Sequence, residues 1–213
     1  MSATSGPFSG VPQGRLVVIS GPSASGKTTI IRELRRLDGV HFSVSATTRP
    51  ARPGECDGVD YWFYTEQRFL AEVGADGFLE HATVHGRLYG TPLAPVLKAI
   101  SEGRTVLMDI DVQGALQVKK KMPEALMVYV LPPSRAELES RLRNRGTEDE
   151  ASIERRLTVA DWEIAQSPSY DYIVVNDILT KAVEDMKAIL RAHSLRMPQG
   201  GVSNRWLSSG QKI

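Results

Sequence analysis

Gly21-Pro22-Ser23-Ala24-Ser25-Gly26-Lys27-Thr28 follows the apolar run Leu16-Val17-Val18-Ile19 and precedes a segment in which Ile30, Ile31, Leu34 and Leu37 recur at helical spacing. The order is strand, glycine-rich loop, helix, which is the context that the spacing G-x-x-x-x-G-K-[ST] needs to work as a phosphate loop. In such a loop the backbone N–H groups turn inward around a polyphosphate, and the helix N-terminus adds partial positive charge. Lys27 then reaches the β- and γ-phosphates, and Thr28 offers its hydroxyl to Mg²⁺, a hard cation that keeps most of its waters. Gly21 through Thr28, with Thr29 after them, are the expected seat of a nucleoside triphosphate. The loop alone leaves open what the phosphate is used for, because motors, switches and kinases share it.

Outward from the loop, 213 residues with 41% hydrophobic composition suffice for one sizeable core with small inserted lobes. A formal net charge of +1 argues against a strongly basic nucleic-acid surface. Cys56 is the single cysteine, which excludes an intrachain disulfide and fits a reducing compartment, and no apolar run reaches membrane-spanning length. Residues 1–13 lack the apolar core of a secretion signal and read as a flexible tail, as do residues 198–213, where Trp206 is an isolated aromatic. The expectation is a cytoplasmic protein with no nucleic acid, no membrane and no obligate protein partner.

Taken in order, Val40-His41-Phe42-Ser43-Val44-Ser45 reads as a second strand, after which Thr47 to Glu55 is polar, punctuated by proline and unfit for a core strand. Val59–Tyr64 and Phe78–Val84 read as short strands around a helix bearing Phe69, Leu70 and Val73. Beyond Pro92 the core pattern resumes: a helix to Gly103, a strand at Thr105–Ile110, a helix through Leu116 and a strand at Leu126–Leu131. Ser134-x-x-Glu137 is a capping box, and Ile153, Leu157, Ala160 and Ile164 mark a further helix. Tyr172-Ile173-Val174-Val175 reads as a last buried strand, followed by a helix over Thr180–Leu195. The fold class is α/β: a parallel five-stranded core with helices on both faces, at 14–45, 92–140 and 168–197, with a small mixed α/β lobe at 46–91 and a helical lid at 141–167.

Asp109 ends a strand, where a carboxylate can face the phosphate loop and hold Mg²⁺ through water, although a plain turn former is the simpler reading. Strand alternation would send Asp111 to the same side. Arg141 and Arg145 lie i,i+4 on one helix, with Arg155-Arg156 on the next, and they form either a solvated basic face or a lid whose guanidinium forks clamp transferring phosphoryl oxygens. Arg49 and Arg52, near Tyr61, Glu80, Tyr89 and Thr91, suit a monophosphate, although Tyr61 and Glu80 taken alone read more simply as ordinary strand residues. A carboxylate such as Glu80 accepts from both N1–H and the 2-amino group of guanine, a demand adenine does not meet.

At this point an ordered series stands along the chain: Ser20-Gly21-Pro22-Ser23, Phe42-Ser43-Val44-Ser45, Thr47-Thr48-Arg49-Pro50, Gly54-Glu55, Gly58-Val59-Asp60-Tyr61, Tyr89-Gly90-Thr91, Asp109-Ile110-Asp111-Val112-Gln113-Gly114, Arg145-Gly146-Thr147-Glu148 and Val175-Asn176-Asp177. From about Arg15 to Leu195 the sequence resembles the guanylate kinases. The resemblance implies phosphoryl transfer from ATP to GMP, or dGMP, with Mg²⁺. It implies GMP at Ser45, Arg49, Arg52, Glu55, Tyr61, Glu80, Tyr89, Thr91 and Asp111, the phosphate on Arg49, Arg52 and Tyr61 and the guanine on Glu80, Thr91 and Asp111. It further implies ATP at the phosphate loop, Asn176 near the adenine, and Arg141, Arg145 and Arg156 closing over the phosphoryl group. Two departures stand out: Ala24 where the family often has glycine, which is strained only at positive φ, and Leu88 before Tyr89 where a second aromatic is common. His81 and His85 match no role. A phosphopeptide-binding module of the same fold and a P-loop NTPase are the rival readings; the intact loop and arginines disfavour the first, and the separate acceptor cluster the second.

Overall fold

The computed structural model describes residues 14–84, 86–144 and 149–196. The expected tails, His85, and the Arg145, Gly146, Thr147 and Glu148 segment lie outside the described residues. The core begins with β1 (Arg15–Ser20), α1 (Lys27–Leu34) and β2 (Val40–Phe42). The lobe follows as β3 (Ala46–Thr47), β4 (Trp62–Phe63), α2 (Glu66–Gly74), β5 (Phe78–Val84) and β6 (Arg87–Pro92). The chain returns through α3 (Leu93–Ser101), β7 (Thr105–Asp109), α4 (Val112–Lys121) and β8 (Leu126–Leu131), and continues with α5 (Arg135–Arg143), α6 (Glu150–Ala165), β9 (Tyr172–Val175) and α7 (Leu179–Ser194).

Five strands lie in the order β2-β7-β1-β8-β9, all parallel, so β1 and its loop sit at the centre. Leu16 through Ser20 are all buried, because helices cover both faces of a parallel sheet. Val17 and Ile19 pack with Ile30 and Leu34 of α1 and with Ala182 and Met186 of α7, while Leu16 and Val18 pack with Val96 of α3 and with Ala115 and Val118 of α4. A second sheet, in the order β4-β3-β6-β5, mixes one parallel pair with two antiparallel ones. Among the described residues no helix is long and apolar enough to cross a membrane.

The α/β core matches expectation, and four details differ. The second strand stops at Phe42: Ser43 still donates to the Leu107 carbonyl at 2.9 Å, and then the chain leaves for the lobe sheet at Ala46. Of Val59–Tyr64 only Trp62–Phe63 is strand, since the N–H groups of Val59 and Asp60 both turn back to the Cys56 carbonyl. The strand β6 was not foreseen, as its sequence Arg-Leu-Tyr-Gly-Thr-Pro carries little apolar alternation. The last strand is not buried: β9 is an edge, with Val174 covered and Tyr172, Ile173 and Val175 exposed.

One junction ties lobe to core. Phe78 stacks on Phe69 inside the lobe at 4.3 Å, whereas the next residue, Leu79, is fully buried in the core cluster with Val96, Ala115 and Val118. The pairing of β5 with β6 shifts register between Phe78 and Glu80, so a bulge lets neighbouring side chains serve two hydrophobic clusters. Leu79→Ala is expected to lower stability by about 3 kcal/mol in urea denaturation, the scale of a core Leu truncation that leaves a cavity.

Candidate active site

The phosphate loop leaves β1 at Ser20 and ends where α1 begins at Lys27. Gly21 has φ 142 and no room for a side chain, since a Cβ there would stand 2.1 Å from the Val130 carbonyl oxygen. Gly26 has φ 89, and a Cβ would meet Asn176 Nδ2 at 2.1 Å. Between them Ala24 adopts φ 66, so the substitution for glycine sits at a left-handed position, with its methyl packed against the apolar cluster of α5 and α6. Lys27 Nζ donates to the Gly21 and Pro22 carbonyls at the loop's mouth. Thr28 is exposed in the first turn of α1, and the Thr29 N–H bonds the Gly26 carbonyl at 3.2 Å. Register places Asp109 of β7 opposite Ile19 of β1, beside the loop's start. Burial raises the Asp109 pKa, and the Lys27 charge opposes that rise.

Two helices close the loop from one side. Ser134 caps α5 by accepting from the Glu137 N–H at 3.1 Å, as the capping box predicts. Leu138 and Leu142 of α5 pack on Ile153, Leu157 and Ala160 of α6. From this pair Arg156 reaches Ser23 Oγ at 3.1 Å, and Arg141 donates through Nη2 to the Asn176 carbonyl at 3.0 Å. Glu137 holds the Arg141 Nε at 2.7 Å. Asn176 is itself a loop support: its buried amide nitrogen donates to the Ser25 carbonyl at 2.8 Å.

The residues expected to hold the acceptor form two groups, one within the lobe and one where the lobe meets α4 of the core. In the first, Arg49 makes a two-pronged pair with Glu55, at 2.7 Å and 2.6 Å, and its guanidinium lies 5.0 Å from the centre of the Tyr61 ring. The Arg52 N–H also donates to Glu55, at 2.7 Å, and Tyr61 meets Tyr89 edge to face at 6.1 Å. Ser45 stands at the root of this loop, its carbonyl accepting from the Trp62 N–H. The second group is Glu80, Thr91 and Asp111. Thr91 Oγ1 donates to Glu80 Oε1 at 2.7 Å, and both residues are buried. Burial pushes the Glu80 pKa up, the Thr91 hydrogen bond opposes this and the Asp111 charge adds to it.

Asp111 did not reach this place by strand alternation. The strand β7 ends at Asp109, and Asp111 is the N-cap of α4, accepting from the Gly114 N–H at 2.8 Å. Gly114 is the enabling residue: a Cβ there would come within 3.1 Å of Glu80 Oε2 and 3.3 Å of Asp111 Oδ1. Sequence reading gave no signal for Glu163, a half-buried carboxylate of α6. Its pKa is raised by burial, with the Lys27 charge opposing and the Asp111 charge adding. Arg145 lies outside the described residues.

A central strand running into a phosphate loop, flanked by a second sheet bearing its own arginine and carboxylate groups, defines a P-loop nucleotide-binding protein of the α/β class. A family model described as Guanylate kinase matches residues 13–193. Guanylate kinase of Thermotoga maritima is 53% identical over 186 residues, covering 87% of this chain and 90% of that protein. Guanylate kinase of Thermus thermophilus is 49% identical over 189 residues, covering 89% of this chain and 86% of that protein. A crystal structure of guanylate kinase from Anaplasma phagocytophilum matches with a TM-score of 0.67 at 32% identity, over 86% of this chain and 87% of that one. The chain belongs to the guanylate kinase family.

The Arg49–Glu55 pair has a titration signature. The two-pronged Arg49 bond, with the Arg52 N–H, holds the Glu55 carboxyl down at about 2. Because the folded value is depressed from 4.5, the pair is fully in place above that pH and is lost only as pH falls through about 2. NMR titration of the Glu55 carboxyl carbon is expected to give that low midpoint, and Arg49→Lys to raise it toward 4.5.

Proposed function

We propose that this chain transfers the γ-phosphoryl group of ATP to GMP, giving ADP and GDP, with the donor on Gly21–Thr29 and the acceptor on the Arg49 and Glu80 groups. The observation that supports the reading is a second group of side chains apart from the loop: a buried carboxylate, Glu80, bonded to Thr91 and near Asp111, with Arg49, Arg52, Glu55, Tyr61 and Tyr89 gathered in the adjoining lobe. A hydrolytic P-loop protein has no use for it. Guanine presents N1–H and a 2-amino group together, and two carboxylates answer both, whereas adenine offers no matching pair of donors on that edge. The assigned side chains read base and phosphate, so dGMP is an acceptor as well.

In the proposed reaction an oxygen of the GMP phosphate attacks the γ-phosphorus in line, and the ADP oxygen leaves on the opposite side. No covalent enzyme intermediate forms. Catalysis is positioning and charge: Lys27 and the inward loop N–H groups hold the donor phosphates, Arg49 and Arg52 with the Tyr61 hydroxyl hold the acceptor phosphate, and Arg141, Arg145 and Arg156 cover the equatorial oxygens. Arg141 and Arg156 already touch the loop's support and the loop itself, which suits that role. Asn176 carries the loop and borders the adenine. The residues at 141–167 act as a lid, and 46–91 as the acceptor lobe, whose approach to the core excludes water and suppresses hydrolysis.

Among the described residues no cluster of three His, Cys, Asp or Glu side chains is set to hold a metal. That fits Mg²⁺ carried mainly by phosphates and water, with the Thr28 hydroxyl and, through water, Asp109 as its protein contacts. When bound, the ion neutralises charge on the β- and γ-phosphates. The single thiol and the small-molecule substrates suit a cytoplasmic location, and the reaction needs no nucleic acid, membrane or protein partner.

ADP release measured with ATP and each of GMP, dGMP, AMP, CMP and UMP is expected to rise strongly with the guanine nucleotides alone. Lys27→Ala should remove nearly all turnover while the circular dichroism of the folded protein persists; near-normal turnover would refute the mechanism. Guanine binding needs Glu80 ionised, and burial with the Asp111 charge places its pKa above the ordinary 4.5. The KM for GMP should therefore climb as pH falls, beginning above that ordinary carboxylate value, and Glu80→Gln should raise KM and flatten this acid limb.

A further inference from the structure

The strand that carries Glu80 is an edge strand, β5, paired on one side only with β6. On its other side the backbone of His81 is met by a single side chain from the core: Gln117 of α4 accepts from the His81 N–H through Oε1 at 3.2 Å and donates through Nε2 to the His81 carbonyl at 3.2 Å. The primary amide thereby replaces the neighbouring strand for one residue, satisfying a donor and an acceptor that an edge otherwise leaves to water. One helical turn on, Lys121 donates to the Phe78 carbonyl at 2.7 Å and pairs with Asp76. The two contacts straddle Glu80. Leu79, buried among Ala115 and Val118 of the same helix, anchors the segment between them.

The same helix is capped by Asp111, and its first turn contains Gly114, where an added Cβ would stand 3.1 Å from Glu80 Oε2 and 3.3 Å from Asp111 Oδ1. The placement of buried Glu80, on the lobe sheet, relative to Asp111, the exposed N-cap of α4, thus depends on how β5 is registered along α4. Apolar contact at Leu79 is tolerant of sliding, while a two-bond amide clasp fixes both height and direction. We propose that Gln117 is a positioning residue for guanine selectivity: by clasping His81 it sets the spacing of Glu80 and Asp111 that lets the pair read N1–H and the 2-amino group together. The inference rests on the assignment of Glu80 and Asp111 to guanine. Gln117 touches neither the acceptor nor the donor in this scheme, and its neighbours on the clasp are backbone groups, so its effect on turnover passes through Glu80.

The test is steady-state kinetics of the full chain carrying Gln117→Met, which keeps the length and apolar stem but neither hydrogen bond, with Glu80→Gln measured beside it. Acceptors are GMP and inosine monophosphate, which lacks the 2-amino group. For Gln117→Met the KM for GMP is expected to rise about tenfold, as for a sub-ångström displacement of binding groups. The preference for GMP over inosine monophosphate should shrink with it, while kcat and the KM for ATP stay within about twofold. Gln117→Glu, which retains an acceptor for the His81 N–H, should fall between. An unchanged KM and preference in Gln117→Met, alongside a large loss of preference in Glu80→Gln, would overturn the proposal and leave the guanine assignment standing. Equal loss of kcat with both acceptors would show a merely structural role and overturn it too. Unchanged preference in Glu80→Gln would instead bring down the guanine assignment on which it rests. Should Gln117→Met fail to fold, the Gln117→Glu comparison alone carries the same two outcomes.

Discussion

The phosphate loop needs a backbone that turns its N–H groups toward one point, and that demand places three residues at positive φ: Gly21 at 142, Ala24 at 66 and Gly26 at 89. Such a turn is unfavourable in isolation, so its surroundings must hold it. Val130 of the neighbouring strand closes on Gly21, the Asn176 amide binds Ser25 and fills the space above Gly26, and Arg156 reaches Ser23. These contacts come from β8, from the residue after β9 and from α6, elements far apart in sequence. The strand order makes them neighbours: β1 is central, and the parallel strands deliver their ends to one edge of the sheet. Ala24 has no glycine's freedom, and its methyl is placed against Leu138, Leu142 and their partners, so its strain is offset by packing with the very helices that bear the arginines.

Around the loop the charges are held in matched sets. Arg49 faces Glu55, Arg141 faces Glu137, and Asp109 lies within the field of Lys27. Arg49 and Arg141 are each oriented by a carboxylate, and in the proposed reaction this lowers the entropy lost when a phosphate joins the set. Glu55 belongs to this logic. The sequence series assigns it to the acceptor, and the geometry offers a way for it to serve there, by aiming Arg49 across the Tyr61 ring with the Arg52 N–H as a third support.

Local signals carried much of this architecture. The loop spacing, the apolar runs of β1, β7 and β8, and the Ser134 capping box each encode their structure within a few residues, and each stands where the pattern places it. Strand β6 was invisible because Gly90 and Pro92 break the alternation that marks a strand, and its partner β5, far better patterned, supplies the stability. Strand β9 misled for the opposite reason: Tyr-Ile-Val-Val has the composition of a buried strand, but exposure is decided by whether another strand lies beyond it. Asp111 was placed near Asp109 by the wrong rule, since a strand ended between them and an N-cap took over. Glu137 was legible only as a capping residue and not as the partner of Arg141, and Glu163 gave no signal, because a lone Glu in a helix is among the commonest of surface residues.

The candidate side chains stand on two kinds of backbone, regular elements docked on the sheets and a turn or helix pair beside them. Glu80 and Thr91 stand on paired strands, Asp111 caps a helix docked on the core, and all three are tied into hydrogen bonds that leave little freedom. Arg49 and Arg52 ride on a proline-punctuated turn, and Arg141 and Arg156 on two helices whose apolar contacts are mainly with each other. Reading a base requires donors and acceptors fixed to a fraction of an ångström, because a misplaced acceptor forfeits discrimination as surely as a missing one. Gripping a phosphate is less exacting, since its charge is spread over several oxygens and a guanidinium can approach any of them. Under the proposed assignment, base reading falls to side chains on paired strands and a helix cap, and phosphate contacts to the arginines, so that closure over two nucleotides leaves the reading of guanine undisturbed.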